Sequence, residues 1–261
     1  MILEITSKEN SHYKELIKLS KEKSEYAFVE GKKLFHELRK SPLDIEKIYI
    51  DKDSLMKFPE AENYKLVIIE RELLRQAYTT ESNPENEELI IAIAKKPYWA
   101  FPELLNRKKN LIFLEQIQDP GNLGTILRSS LAFEIGGVVL SRMSVDPFNP
   151  KVVRASAGAV FNIPVLYVED VNEFIDLCIE SDYRIISTSS TKAKKNLEDL
   201  NLKVNQPILF LFGNEGCGLS RELLMKSNEI VQIPQSSQVE SLNVGVAVSI
   251  VLWEMRKKTE T

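Results

Sequence analysis

The stretch Ile208-Leu209-Phe210-Leu211-Phe212-Gly213-Asn214-Glu215-Gly216-Cys217-Gly218 decides how the chain is read. Its first five residues are uniformly apolar, as in a strand of a parallel sheet covered by helices on both faces. The glycines that follow imply either tight backbone dihedral angles or a ligand lying against the main chain. No Gly-Lys-Ser/Thr follows, so the turn is not a P-loop, and its spacing is not the Gly-x-Gly-x-x-Gly of a dinucleotide fold. Glu215 could equally sit beside the N-terminus of a helix starting near Ser220.

Outward from this turn the same alternation repeats. Residues 111–116, 137–140, 165–168, 183–188 and 230–233 read as strands, with helices over 123–133, 150–157, 171–180, 221–226 and 244–256. Strand then helix, repeated, predicts an α/β fold with a parallel sheet, in which ligands bind beyond the carboxyl ends of the strands. Two more polar loops lie at such ends. Asp119-Pro120-Gly121-Asn122-Leu123-Gly124 leads into a helix carrying Arg128. Asn122 suits a helix cap, the free backbone N–H groups there suit an anion, and Arg128 is expected between one and two turns in. The loop from Ile233-Pro234 to Ser241-Leu242-Asn243 opens a helix of small residues. Ser241 or Asn243 could cap that helix, whose slim face suits close packing or a dimer interface.

The N-terminal part reads differently. Helices over 12–19 and 32–40 flank the extended piece Tyr26-Ala27-Phe28-Val29-Glu30-Gly31, and apolar runs at 45–50, 65–69 and 89–94 surround a helix over 70–78. This predicts a small α/β domain over residues 1–105, joined through Pro97, Pro102 and Arg107-Lys108-Lys109 to a larger domain over 106–261.

Composition narrows the function. With 261 residues, 43% apolar and 28% charged, the chain matches a soluble globular protein. No apolar run approaches the roughly 18 residues of a membrane span, and Glu4 interrupts any signal-like start, so a cytoplasmic protein is expected. Cys178 and Cys217 form no framework, and His12 and His36 both lie near the N-terminus; this argues against a metal site and against a Ser-His-Asp hydrolase. The net charge is -4, and residues 1–110 hold as many Lys/Arg as Asp/Glu. A polyanion would therefore need local patches, and Lys14, Lys18, Lys32, Lys33, Arg107, Lys108, Lys109, Arg128 and Arg154 are expected to line one face.

Taken in order, Asn122-x-Gly124-x-x-x-Arg128, Gly213-x-Glu215-Gly216, and Ile233-Pro234 with Ser241-Leu242-Asn243-Val244 resemble the three motifs of the SpoU/TrmH family of RNA 2'-O-ribose methyltransferases. The likeness covers roughly residues 110 to 257. Residues 152–159 with Pro164 are similar to the family segment between the first two motifs, and Phe28-Val29-Glu30-Gly31 is similar to the substrate-binding domain of members acting on ribosomal RNA.

The resemblance implies a sheet tied in a deep trefoil knot, with S-adenosylmethionine bent inside the second and third loops. Main chain at Gly213, Ile233 and Leu242 would hold its adenosyl part, with Thr188 at the border. It implies a homodimer through the C-terminal domain, with the helix from Val244 on the partner chain, and RNA, ribosomal before transfer RNA, as substrate. Arg128 matches the family arginine that contacts the target phosphate and assists deprotonation. A guanidinium stays protonated, so positioning and charge stabilisation suit it better than a base role. Asn122, Glu215, Ser241 and Asn243 match the remaining polar site residues. Gly245, where small hydroxyl residues are common, and Cys217, inside the second motif, depart from the pattern. A transfer-RNA enzyme, a resistance methyltransferase and a silent RNA-binding factor of the same fold are the competing readings.

Overall fold

In a computed structural model, which describes residues 3–79, 88–201, 206–214 and 216–259, the chain divides into two compact units. One comprises Met1–Tyr98 with Phe148–Phe161, the other Trp99–Pro147 with Asn162–Thr261.

The first unit runs β1 (Leu3–Ile5), α1 (Ser11–Lys21), β2 (Tyr26–Glu30), α2 (Lys32–Lys40), β3 (Ile45–Ile50), α3 (Lys52–Lys57), β4 (Leu66–Ile69), α4 (Arg71–Ala77) and β5 (Ile90–Lys95). Its sheet has the order β1-β4-β3-β5-β2, with β5 antiparallel to both neighbours. Ile90 to Ala94 are all buried, which is why that strand carries no polar alternation. The buried Asp51 carboxylate caps α3, accepting from the Asp53 and Ser54 amides at 3.0 Å, and pairs with Arg71 at 3.0 Å. A buried charge is tolerated when it is hydrogen-bonded and paired in this way.

The second unit continues with α5 (Phe101–Asn106), β6 (Leu111–Leu114), α6 (Pro120–Ala132) and β7 (Gly137–Ser141). Helix α7 (Pro150–Ala155) packs on β2, which draws residues 148–161 into the first unit. Then come β8 (Val165–Val168), α8 (Val171–Glu180), β9 (Arg184–Thr188), β10 (Lys195–Asn196), β11 (Ile208–Phe212), α9 (Arg221–Lys226), β12 (Glu229–Gln232) and α10 (Val244–Thr259). The sheet order is β10-β12-β9-β11-β6-β7-β8, and every pairing is parallel. The expected α/β architecture is present. From β6 the chain first adds strands on one side, then crosses to build on the other. The reversal of direction falls at β6 and β11, the place where ligands bind in open α/β sheets.

Beneath this point lies a core of Phe113, Phe174, Ile175, Tyr183, Leu209 and Leu211, with Cys178 fully buried among them. Burial pushes the Cys178 thiol up to about 12, so it stays a neutral apolar side chain. Helix α10 lies along α6. Gly245 leaves room there, since a Cβ would come within 3.2 Å of the Thr125 side chain. Ser129 and Ser249 share a hydrogen bond of 2.7 Å, and the Phe133 and Trp253 rings stand 6.2 Å apart. The slim face of α10 thus packs on its own chain.

Candidate active site

The loops after β9, β11 and β12 meet around a cavity of about 260 Å³. Thr188, Gly213, Ile233, Ser241 and Leu242 all line it, together with apolar Leu219, Val231 and Val244. Thr188, Gly213 and Ile233 stand at or just beyond the carboxyl ends of β9, β11 and β12, and Ser241 and Leu242 close the long loop between β12 and α10, which brings positions far apart in sequence to one place.

The glycine-rich turn is held by main-chain approach. A Cβ on Gly213 would lie 2.1 Å from the Gly218 carbonyl carbon and 2.3 Å from the Leu219 nitrogen, so only hydrogen fits. Gly218 has φ +67° and donates its amide to the Asn214 carbonyl at 2.8 Å, closing the turn. The Asn214 side chain does the rest. Its Nδ2 donates to the Gln116 carbonyl at 2.9 Å, and its Oδ1 accepts from the Gly216 amide at 2.8 Å. Glu115 accepts from the Ser220 amide at 2.8 Å at the start of α9. That is the structural role the sequence offers to Glu215, which itself lies outside the described residues.

Asn214, Gln116 and Glu115 were not singled out by sequence reasoning; asparagine directly after a turn glycine is the one local sign. Asn214→Ala removes three side-chain ties of the turn, to the Gln116 carbonyl and from the Gly216 and Cys217 amides, and is expected to lower unfolding stability by about 1–3 kcal/mol and to weaken cofactor binding. Urea denaturation beside ligand titration checks both. Unchanged values in the two measurements would show that the turn does not depend on this side chain.

The polar helix start differs from expectation in one respect. Asp119, not Asn122, caps α6, accepting from the Asn122 amide at 2.7 Å, and Pro120 occupies the first turn. The helix thus starts earlier than expected, placing Arg128 a little over two turns in, and the Asn122 side chain is released for another contact. Asn243 Nδ2 donates to Asn122 Oδ1 at 2.7 Å. Asn243 also caps α10, its Oδ1 accepting from the Val246 amide at 3.2 Å. The structure therefore joins the third loop directly to α6. Arg128 is exposed on that helix and makes no hydrogen bond or ion pair among the described residues.

The cavity suits the nucleoside of the expected cofactor. It is near the lower edge of the roughly 300–1,000 Å³ of small-molecule sites, with apolar walls and main-chain groups for a planar heterocycle. Cys217, exposed, stands on its wall. In the native protein Cys217 alone is expected to react with a thiol reagent, and more slowly with S-adenosylmethionine present; Cys178 is expected to react only after unfolding. Thiol titration checks this, and a native count of two would contradict the burial of Cys178.

A parallel sheet whose carboxyl-end loops enclose a nucleoside-sized cavity, beside a polar helix start, defines a cofactor-dependent α/β enzyme. The SpoU rRNA Methylase family model matches residues 109–253. An uncharacterised tRNA/rRNA methyltransferase of Synechocystis sp. is 33% identical over 76% of this chain and 69% of its own length. The 23S rRNA guanosine 2'-O-methyltransferase RlmP of Bacillus subtilis is 26% identical over 97% of this chain and 99% of its own. An AdoMet-bound rRNA methyltransferase from Sinorhizobium meliloti, 24% identical, superposes with a TM-score of 0.83 over 98% of both chains, which shows the shared fold. The chain belongs to the SpoU rRNA methylase family. Its activity is that of an RNA 2'-O-ribose methyltransferase with S-adenosylmethionine as donor. The strand order, and the convergence of the loops on one cavity, fit the deep trefoil knot that the resemblance implies.

Proposed function

We propose that the cavity holds S-adenosylmethionine through main chain at Gly213, Ile233 and Leu242 with Thr188 at its border, and that Asn122, Arg128, Ser241, Asn243 and Glu215 form the acceptor side for a ribose 2'-hydroxyl of ribosomal RNA. The observation that carries this reading is the 2.7 Å bond from Asn243 to Asn122, because it ties the cofactor loop to the helix that bears Arg128.

When bound, the cofactor supplies an electrophilic sulfonium methyl group. What the chain must add is orientation of the hydroxyl and relief of the charge that grows as its proton leaves. Arg128, with its guanidinium uncommitted to any described carboxylate, is suited to grip the phosphate beside the target ribose. Asn122, held by Asn243, presents an amide whose orientation is fixed before substrate arrives. Ser241 offers a hydroxyl at the cavity wall.

The N-terminal domain, residues 1–105, is proposed as the part that grips the RNA substrate. A homodimer through the C-terminal domain is supported by Leu131, Val246 and Trp253, which stay exposed on α6 and α10 at 37%, 45% and 56%. No helix among the described residues is long and apolar enough to cross a membrane. A cytoplasmic location follows from the proposed ribosomal substrate, and the two free cysteines suit a reducing compartment.

The experiment incubates the purified protein with tritiated S-adenosylmethionine and separate pools of ribosomal and transfer RNA, then maps any 2'-O-methylated nucleotide. Label confined to ribosomal RNA is expected. Label in transfer RNA would move the substrate, and label in neither would favour a silent RNA-binding factor.

A further inference from the structure

Several lysines of the first unit are already committed to carboxylates. Lys14, Lys18 and Lys32, three of those expected to meet RNA, pair with Glu9, Glu22 and Glu88. Lys40, Lys47, Lys52 and Lys57 pair with carboxylates as well. Lys21, Lys23 and Lys95 are exposed and form no ion pair among the described residues. These three share one end of the sheet. Tyr26 at the start of β2 is in register with Lys95 at the end of β5, and the Lys96 amide donates to the Glu25 carbonyl at 2.9 Å. Lys21 and Lys23 lie just ahead of that bond.

At the same sheet end Tyr98 projects from the chain. It is 91% exposed, more than any other large apolar or aromatic side chain among the described residues. Beside it in sequence, Lys96 holds its ammonium 5.3 Å from the centre of the Phe148 ring. Aromatic faces set among lysines are what a flexible nucleic-acid strand uses: unpaired bases stack on the ring while ammonium groups neutralise the phosphates. Exposed Glu25 and Asp44 lie at the same sheet end, and an apolar protein partner would call for a broader apolar surface than one projecting ring.

We propose that Tyr98, with Lys21, Lys23 and Lys95, is a stacking platform for an unpaired base of the RNA substrate. This rests on the reading of the chain as an RNA methyltransferase, and it names a contact that the three motifs do not contain. Tyr98 acts on substrate binding and takes no part in methyl transfer.

The test uses the full chain and a short, unstructured, fluorescently labelled RNA oligonucleotide. Tyr98→Ala is expected to weaken Kd about tenfold, while Tyr98→Phe keeps the ring and binds like wild type. Replacing Lys23 and Lys95 together by alanine should flatten the slope of log affinity against log salt by about 1.4. With ribosomal RNA as methyl acceptor, Tyr98→Ala should raise KM and leave kcat and S-adenosylmethionine affinity unchanged. Equal RNA affinity for Tyr98→Ala and wild type would overturn the platform, as would a loss in Tyr98→Phe as large as in Tyr98→Ala. If the wild type methylates no RNA, the methyl-transfer reading fails on its own, and the oligonucleotide titration still decides the role of Tyr98.

Discussion

Replacing Gly213 by alanine is expected to weaken S-adenosylmethionine binding by roughly one to two orders of magnitude while Gly216→Ala leaves it near wild type. The two residues lie in one loop, yet their surroundings differ. At Gly213 the added methyl group would stand 2.1 Å from the Gly218 carbonyl carbon, against the roughly 3.5–4.0 Å of a relaxed carbon contact. The neighbour is backbone, so no side-chain rotation can relieve it. Nor can that backbone retreat freely: the Gly218 amide is bonded to the Asn214 carbonyl, and Asn214 is tied in turn to Gln116. The loop must open, and it forms one wall of the cavity. At Gly216 the nearest atom to an added Cβ is the Asn214 side-chain oxygen at 3.4 Å, an ordinary contact.

Overpacking of about 1–3 kcal/mol, taken up by the cavity wall, would lower cofactor affinity by roughly one to two orders of magnitude. Calorimetric titration with the cofactor, alongside thermal melts, separates loss of the site from loss of the fold. Normal binding by Gly213→Ala would mean that the two segments of the turn do not approach as closely as described.

The strands of the second unit were legible in sequence to within a few residues, because a strand buried on both faces is a continuous apolar run with abrupt ends. β8, α8, β11 and α9 coincide with the expected 165–168, 171–180, 208–212 and 221–226. Shorter pieces were not legible. β1 has three residues and β10 two, too few for any period, and each is a strand only through its partner β4 or β12. Pro102 makes the sequence over α5 read as part of a linker, yet proline in a first turn lacks only an amide that has no helical partner there. The same asymmetry misled at α6. Asp119-Pro120 is a cap followed by a first-turn proline, and choosing Asn122 as the cap started the helix too late.

The candidate site divides along the same line. Thr188, Gly213, Ile233, Ser241 and Leu242 could be gathered in advance because they sit at strand ends or in the motif that opens α10, and all five line one cavity. Glu115 and Asn214 could not, because their bonds span 105 and 98 residues of sequence and nothing local announces them. The charge reading had a similar limit. Whether a lysine is free to meet a phosphate depends on which carboxylate folds beside it, and Lys14, Lys18 and Lys32 are each already paired.

For Arg128 the expected result is a split between binding and chemistry. Arg128→Ala should lower methyl transfer to RNA by at least about a hundredfold while S-adenosylmethionine affinity stays within twofold of wild type, on the order of magnitude set by a lost substrate-positioning group. The split follows from placement: Arg128 is not among the residues lining the cavity, and it is exposed on α6 with no hydrogen-bond or ion-pair partner among the described residues. Its removal leaves no buried group unsatisfied, so stability should change by less than about 0.5 kcal/mol. Arg128→Lys is the sharper variant. Lysine keeps the charge but loses the planar fork that can hold two phosphate oxygens at once. If position and orientation are what Arg128 supplies, lysine should recover only a small part of the rate; if charge alone suffices, it should recover most of it. Single-turnover assays with tritiated cofactor give the rate, and equilibrium dialysis gives cofactor affinity. Near-normal turnover by Arg128→Ala would remove it from the acceptor side, leaving the Asn122–Asn243 pair as the link between α6 and the reaction.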